Sequence, residues 1–177
     1  ENEGRASLYT SVLQRTIESV VLLERYSKTI IDVSLLVLDD DGSVLTAALT
    51  AASLALADAA VEIKDLMAGA TVHLSRGPGE AESRLLLDCS SEEEGQLPEG
   101  SSVLHLGLCP SRGLLCMLHS TGPLPPGPFE QMVLLAKDTA EAVGAEMRRC
   151  LVDRVERRAV KRIRLLQEEP ETLLGLE

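Results

Sequence analysis

The chain has 177 residues, is 45% hydrophobic and 2% aromatic, and carries a formal net charge of −11. That length and apolar content fit one globular domain with a real core and exclude a disordered acidic tail. The acidity and the scarcity of aromatic rings argue against a stand-alone nucleic-acid binder, which needs a basic footprint and stacking platforms.

Taken in chain order, Leu8, Val12, Ile17, Val20 and Val21 recur at three- to four-residue steps and predict an amphipathic helix over residues 5–25. Thr29–Leu38 is β-branched and nearly all apolar, which predicts a strand buried on both faces. Asp39–Ser43 reads as a turn. Thr46–Ala60 reads as a second helix, and its Ala and Ser content predicts that it lies flat on a sheet. Ala68–Ser75 is a predicted strand, Gly77–Glu80 a loop, Arg84–Asp88 a short strand and Ser90–Gly100 an acidic, flexible connection.

Ser102–Leu108 and Leu114–His119 predict a hairpin around Pro110-Ser111-Arg112-Gly113. The prolines of Gly122–Pro128 predict a stiff, non-helical linker. One long helix then runs from Phe129 to about Glu168 with Pro170 ending it; Met132, Leu135, Ala136, Thr139, Val143, Met147, Leu151 and Val155 form its apolar stripe. Hairpins and short loops join the strands while helices gather apart, which predicts an α+β layered domain with a mixed sheet over residues 1–168 and a tail at 169–177.

Few residues carry chemistry. Asp39-Asp40-Asp41-Gly42 resembles the start of a calcium loop, but Val44 and Leu45 follow where alternating ligands are needed, so a solvated turn is expected. Glu92–Glu94 reads as a solvated acidic run. His73, His105 and His119 sit in predicted strands without metal-ligand spacing. Cys89, Cys109, Cys116 and Cys150 lack zinc-knuckle spacing; Cys109 and Cys116 flank the hairpin and can approach each other, and reduced thiols are expected. No cofactor and no metal is expected, and no apolar run reaches transmembrane length. The charge is uneven: residues 148–164 hold eight basic residues against Asp153 and Glu156, a local +6 that leaves −17 elsewhere. Arg157, Arg158, Lys161 and Arg162 within that segment are the candidate RNA-phosphate contacts, against the alternative of a solvated helix face.

The run Ile31–Glu62, with its Asp-Asp-Asp-Gly-Ser turn and small-residue helix, resembles the heart of the ribonuclease PH family. Leu85-Leu86-Leu87-Asp88 followed by an acidic run, and the hairpin Val103–Thr121 followed by a long helix, extend the likeness over residues 5–160. The resemblance implies the family's fold (that of ribosomal protein S5 domain 2), with this chain resembling its C-terminal portion. It also implies where chemistry belongs. Catalytic members carry Gly-Thr-Arg after the turn, the arginine holding phosphate, where this chain has Ser43, Val44 and Leu45. They also carry a key aspartate, where this chain has Ser102 or Val103.

Leucine has no donor for an oxyanion, so no catalytic residue is assigned. The likeness is strongest to the non-catalytic subunits of the eukaryotic RNA exosome core. It implies a heterodimer with a second ribonuclease PH-like chain, a six-membered ring, and cap subunits and associated nucleases as partners. RNA would pass through the channel, in nucleus (nucleolus included) and cytoplasm, with no membrane partner. The alternatives are an active phosphorolytic 3′–5′ exoribonuclease of the same family and an unrelated acidic α+β interaction domain.

Overall fold

The computed structural model describes residues 2–76 and 83–168, with side chains over 4–76 and 83–163. Helix α1 spans Asn2–Val20 and is followed by a 3-10 turn at Leu23–Tyr26. Helix α2 is Val44–Asp58, strand β1 Ala68–Ser75, strand β2 Arg84–Leu87, short helix α3 Ser91–Gly95, strands β3 Ser102–Cys109 and β4 Leu114–Thr121, and helix α4 Pro126–Glu168. The four strands form one sheet in the order β2-β1-β3-β4, and all three pairings are antiparallel, where the sequence reading expects a mixed sheet. Strands β2 and β3 lie on opposite edges of β1 and run in the same direction, so the connection through α3 crosses over β1 although no two hydrogen-bonded neighbours are parallel. Gly77–Glu80, Pro170 and the tail at 169–177 fall outside the described residues. No described helix is long and apolar enough to cross a membrane.

Alternation along the strands builds two cores. Ala68, Ala70, Val72 and Leu74 of β1 and Leu104, Leu106 and Leu108 of β3 pack against Met132, Ala136, Ala140 and Met147 of α4. On the other side, Leu45, Leu49 and Leu56 of α2 meet Leu13 and Val20 of α1, with Met67 and Met117. α2 does lie flat: Gly69 comes so close that a Cβ there would stand 2.7 Å from Thr46 Cβ, a gap only glycine leaves open.

The largest departure is residues 29–38. They form no strand; Ile30, Leu36 and Leu38 are 93%, 84% and 89% exposed. Only Ile31 and Val33 pack, against the α1–α2 core. Among the described residues no strand pairs with this segment, and without a partner ladder a β-prone sequence stays extended and unpaired.

Two smaller departures have local causes. Ser90–Gly100 contains α3, nucleated by a capping box: Glu93 N–H donates to Ser90 Oγ, and Ser90 N–H donates to the Glu93 carboxylate. α4 begins at Pro126 inside the expected linker, because proline is tolerated in a first turn whose N–H groups have no helical partner. The expected α4 stripe holds to Met147, but Val155 is exposed. All four cysteines are free, and burial beside Cys109 pushes the Cys116 thiol up to about 12, so it stays protonated.

Candidate functional site

A cleft of about 530 Å³ opens on the α2 face of the sheet, between the start of α1, the turn before α2, α3 and the strand ends. Its floor is built on two cross-strand rows, of which all but the fully buried Thr71 line it. Thr71, His105 and His119 stand opposite one another on β1, β3 and β4; His73, Val103 and Thr121 form the next row. Strand alternation puts all six on one face.

Within the first row, the Thr46 and Thr71 hydroxyls lie 2.8 Å apart, Thr71 Oγ1 lies 3.1 Å from His105 Nδ1, and the His105 and His119 rings stack at 6.0 Å. Burial chiefly, with His119, His73 and Arg5 adding, holds the His105 pKa down to about 4, so this ring is neutral near pH 7. In the second row, His73 Nε2 lies 3.1 Å from Glu94 of α3. The residues read as a solvated acidic run thus split into a capping residue, Glu93, and a cleft residue, Glu94.

The turn before α2 forms one wall. Gly42 at φ +93° lies against the backbone of Cys89, where a Cβ would fall 2.3 Å from the carbonyl oxygen. Ser43 follows in a left-handed conformation (φ 54°), which costs a non-glycine residue about 1 kcal/mol. Asp39–Gly42 is hydrogen-bonded as a turn: Gly42 N–H donates to Asp40 and Ser91 N–H donates to Asp41. No cluster of His, Cys, Asp or Glu able to hold a metal ion occurs among the described residues.

The positions singled out in the sequence converge here. Ser43 and Val44 line the cleft, and so do Ser102 and Val103. Leu45 does not; it is fully buried beneath the sheet. Four buried polar atoms, Ser43 Oγ, His73 Nδ1, Ser101 Oγ and Ser102 Oγ, have no hydrogen-bond partner among the described residues, and all four belong to cleft-lining side chains. Arg5 lines the cleft mouth with its guanidinium 3.3 Å from Tyr9 Oη. The sequence reading missed Arg5, Glu94 and the histidine rows. The signal for the rows was present as alternation, but only strand register brings the rows together.

The RNA-contact candidates lie elsewhere. Arg157, Lys161 and Arg162 are exposed on α4, remote in sequence from every cleft residue. Arg158 is engaged: with Arg154 it holds Asp58 at the end of α2, each at 2.8 Å.

An antiparallel sheet with two helices on one face, a long C-terminal helix on the other and a cleft at the helix α2 turn defines a chain of the ribonuclease PH fold. Comparison with known proteins agrees. Residues 1–62 match the 3′ exoribonuclease family, domain 1. The exosome complex component Rrp41 of Methanopyrus kandleri is 34% identical over 151 residues, which is 85% of this chain and 59% of that protein. The human exosome complex component MTR3 is 46% identical over 91 residues, 51% of this chain and 32% of that protein. The crystal structure of rice Rrp46 superposes with a TM-score of 0.68 at 26% identity, covering 81% of this chain and 64% of that one. The chain carries a ribonuclease PH domain and the ribonuclease PH-like fold, and it spans about 59% of the length of the Rrp41 relative it matches.

Proposed function

We propose that this chain is a non-catalytic ring subunit of an RNA exosome, supporting RNA 3′-end processing and decay through assembly and channel formation. One observation carries the reading. Where the family resemblance expects a phosphate-holding arginine the chain has Leu45, which turns into the core and leaves Ser43 and Val44 at the cleft, and where it expects a key aspartate the cleft presents Ser102 and Val103. A phosphorolytic site must neutralise an attacking phosphate and handle a metal or a proton. Hydroxyls and methyls at those positions do neither.

The partners would be a second ribonuclease PH-like chain in a heterodimer, the remaining chains of a six-membered ring, cap subunits and associated nucleases, in nucleus and cytoplasm. Arg157, Lys161, Arg162 and, in part, Arg158 would contact RNA phosphates, with Arg158 already shared with Asp58. A second reading, an active phosphorolytic exoribonuclease, is favoured by Arg5 and the His73–Glu94 pair, which put one cation and an acid–base couple in the same cleft.

Tagged purification from source cells with mass spectrometry of the intact complex tests the first reading. Recovery with other ribonuclease PH-like chains in equal amounts supports it; recovery alone or as a homo-oligomer contradicts it. Phosphate-dependent release of nucleoside diphosphates from RNA by the complex, abolished by Arg5→Ala, would replace it with the second.

A further inference from the structure

Residues 30–38 have no ladder to join. Among the described residues none of them makes a backbone hydrogen bond; the last one before the run is Thr29 N–H to the Tyr26 carbonyl. A run of unpaired N–H and C=O groups beside Ile, Val and Leu side chains is a template for a further strand. Alternation already sorts its side chains. Ile31, Val33 and Leu35, bordered by Asp32, line a groove of about 500 Å³ against Leu13 and Ile17 of α1. Ile30, Ser34, Leu36 and Leu38 are exposed.

The run is nearly self-complementary about Ser34. Laid antiparallel on a second copy with Ser34 opposite Ser34, it sets Ile30 opposite Leu38 on the solvent side. On the groove side it sets Ile31 opposite Val37 and Val33 opposite Leu35. Asp32 opposite Leu36 is the mismatch, and the two Asp32 carboxylates stay about 13 Å apart along the ladder, beyond strong repulsion. A shift by one residue would set solvent-side residues against groove-side ones.

The charges agree with this register. It brings Lys28 of each copy opposite Asp40 of the other, with Asp39 and Asp41 alongside. Lys28 lies in a turn and Leu38 at a bend, so these charges flank the ladder. Lys28, Asp39 and Asp40 are exposed and join no ion pair among the described residues. Asp40 accepts from Gly42 N–H through Oδ1, which leaves Oδ2 for a partner.

We propose that residues 30–38 pair antiparallel with the same residues of a second copy of this chain, with Lys28 of each copy against the Asp39–Asp41 acids of the other. Across residues 28–41 Lys28 stands against Asp32, Asp39, Asp40 and Asp41, a balance that repels nucleic acid and anionic lipid. A strand of another sequence would have to reproduce both the apolar order and the terminal charges. The pairing concerns the unassembled chain and does not rest on the ring-subunit reading, which is tested on complexes from cells. A two-stranded ribbon is marginal on its own. The dimer is therefore expected in the micromolar range, with a solvated, monomeric run below it.

Sedimentation velocity of the full chain over a concentration series is expected to show a monomer–dimer equilibrium. Leu36→Asp/Leu38→Asp should weaken it at least about tenfold with an unchanged circular dichroism spectrum, since both side chains are exposed. Lys28→Glu and Asp40→Lys should each weaken the dimer, and an equimolar mixture of the two variants should restore it, because both ends of the mixed pair again join opposite charges. Ser34→Cys in a Cys150→Ser background should cross-link copy to copy on mild oxidation, whereas Leu36→Cys should not, because only position 34 meets itself.

A chain that stays monomeric throughout the micromolar range, a dimer indifferent to these substitutions, or growth beyond the dimer overturns the proposal. So does binding of single-stranded RNA or phosphatidylserine vesicles in place of a dimer, lost in Leu36→Asp/Leu38→Asp, which would name a different occupant.

Discussion

Strand β1 and residues 29–38 are two apolar, β-prone stretches with opposite fates. β1 is paired on both edges, by β2 and β3, and is buried almost throughout. Residues 29–38 are richer in Ile, Val and Leu, yet they are unpaired with Ile30, Leu36 and Leu38 in solvent. β propensity describes how a side chain fits a pleated, half-covered surface; it does not supply the neighbour. β1 has its neighbours because β2 pairs along one edge and the connection through α3 carries the chain across to pair β3 along the other. No described strand returns beside residues 29–38.

The largest effect that sharpens this contrast is a charge placed on the covered side. Leu45→Arg puts a guanidinium into the core beneath the sheet, among Leu49, Leu56 and Met67. A loss on the order of 5 kcal/mol or more is expected, enough to unfold an ordinary domain. Urea melting would register it. For the same reason the substitution is expected not to create phosphorolytic activity, since Leu45 does not line the cleft. Phosphate-dependent RNA shortening by a folded Leu45→Arg protein would contradict the position given to this side chain.

Next comes a matched truncation. Leu106 of β3 is fully enclosed between the sheet and α4, and Leu106→Ala is expected to cost about 2–5 kcal/mol, depending on how far the site collapses. A value under about 1 kcal/mol would mean that pairing, rather than burial, dominates the contrast.

The paired sheet also carries a pH dependence. His105 is buried, and its pKa falls from 6.5 to about 4 in the folded state. Between those values the unfolded chain binds more protons than the folded one, so stability is fully present above 6.5 and is lost as pH drops toward 4. The expected loss is about 3 kcal/mol at the acid end. His105→Gln should flatten this limb in urea midpoints measured from pH 7 to pH 4. An unchanged slope would place the acid sensitivity in another group.

Much of the fold was legible because the signals were local. Thr46–Ala60, Ala68–Ser75 and the hairpin at 102–121 announce themselves by run length, alternation and turn residues, and their observed bounds differ by a residue or two. α3 is written in the capping-box spacing of Ser90 and Glu93, although its acidic composition also fits a solvated loop. The strand predicted at 29–38 failed because burial on both faces depends on a neighbour that propensity cannot reveal. The cleft was half legible. Family resemblance pointed to Ser43, Val44, Ser102 and Val103, which do share it. The Thr71–His105–His119 row and Glu94 depend on strand register and on a helix docking across the sheet, neither of which is written in spacing.

The smallest expected effect is the most direct check on the contrast. Leu36→Ala removes the same atoms as Leu106→Ala, from a side chain that is 84% exposed. The hydrophobic gain from burying that leucine was never realised, so there is no transfer free energy to lose and no cavity to open. The substitution should change the urea midpoint by no more than about 0.5 kcal/mol in the isolated chain. A loss of 2 kcal/mol or so would mean that residues 29–38 are covered in solution, and the two stretches would then differ in partner rather than in state.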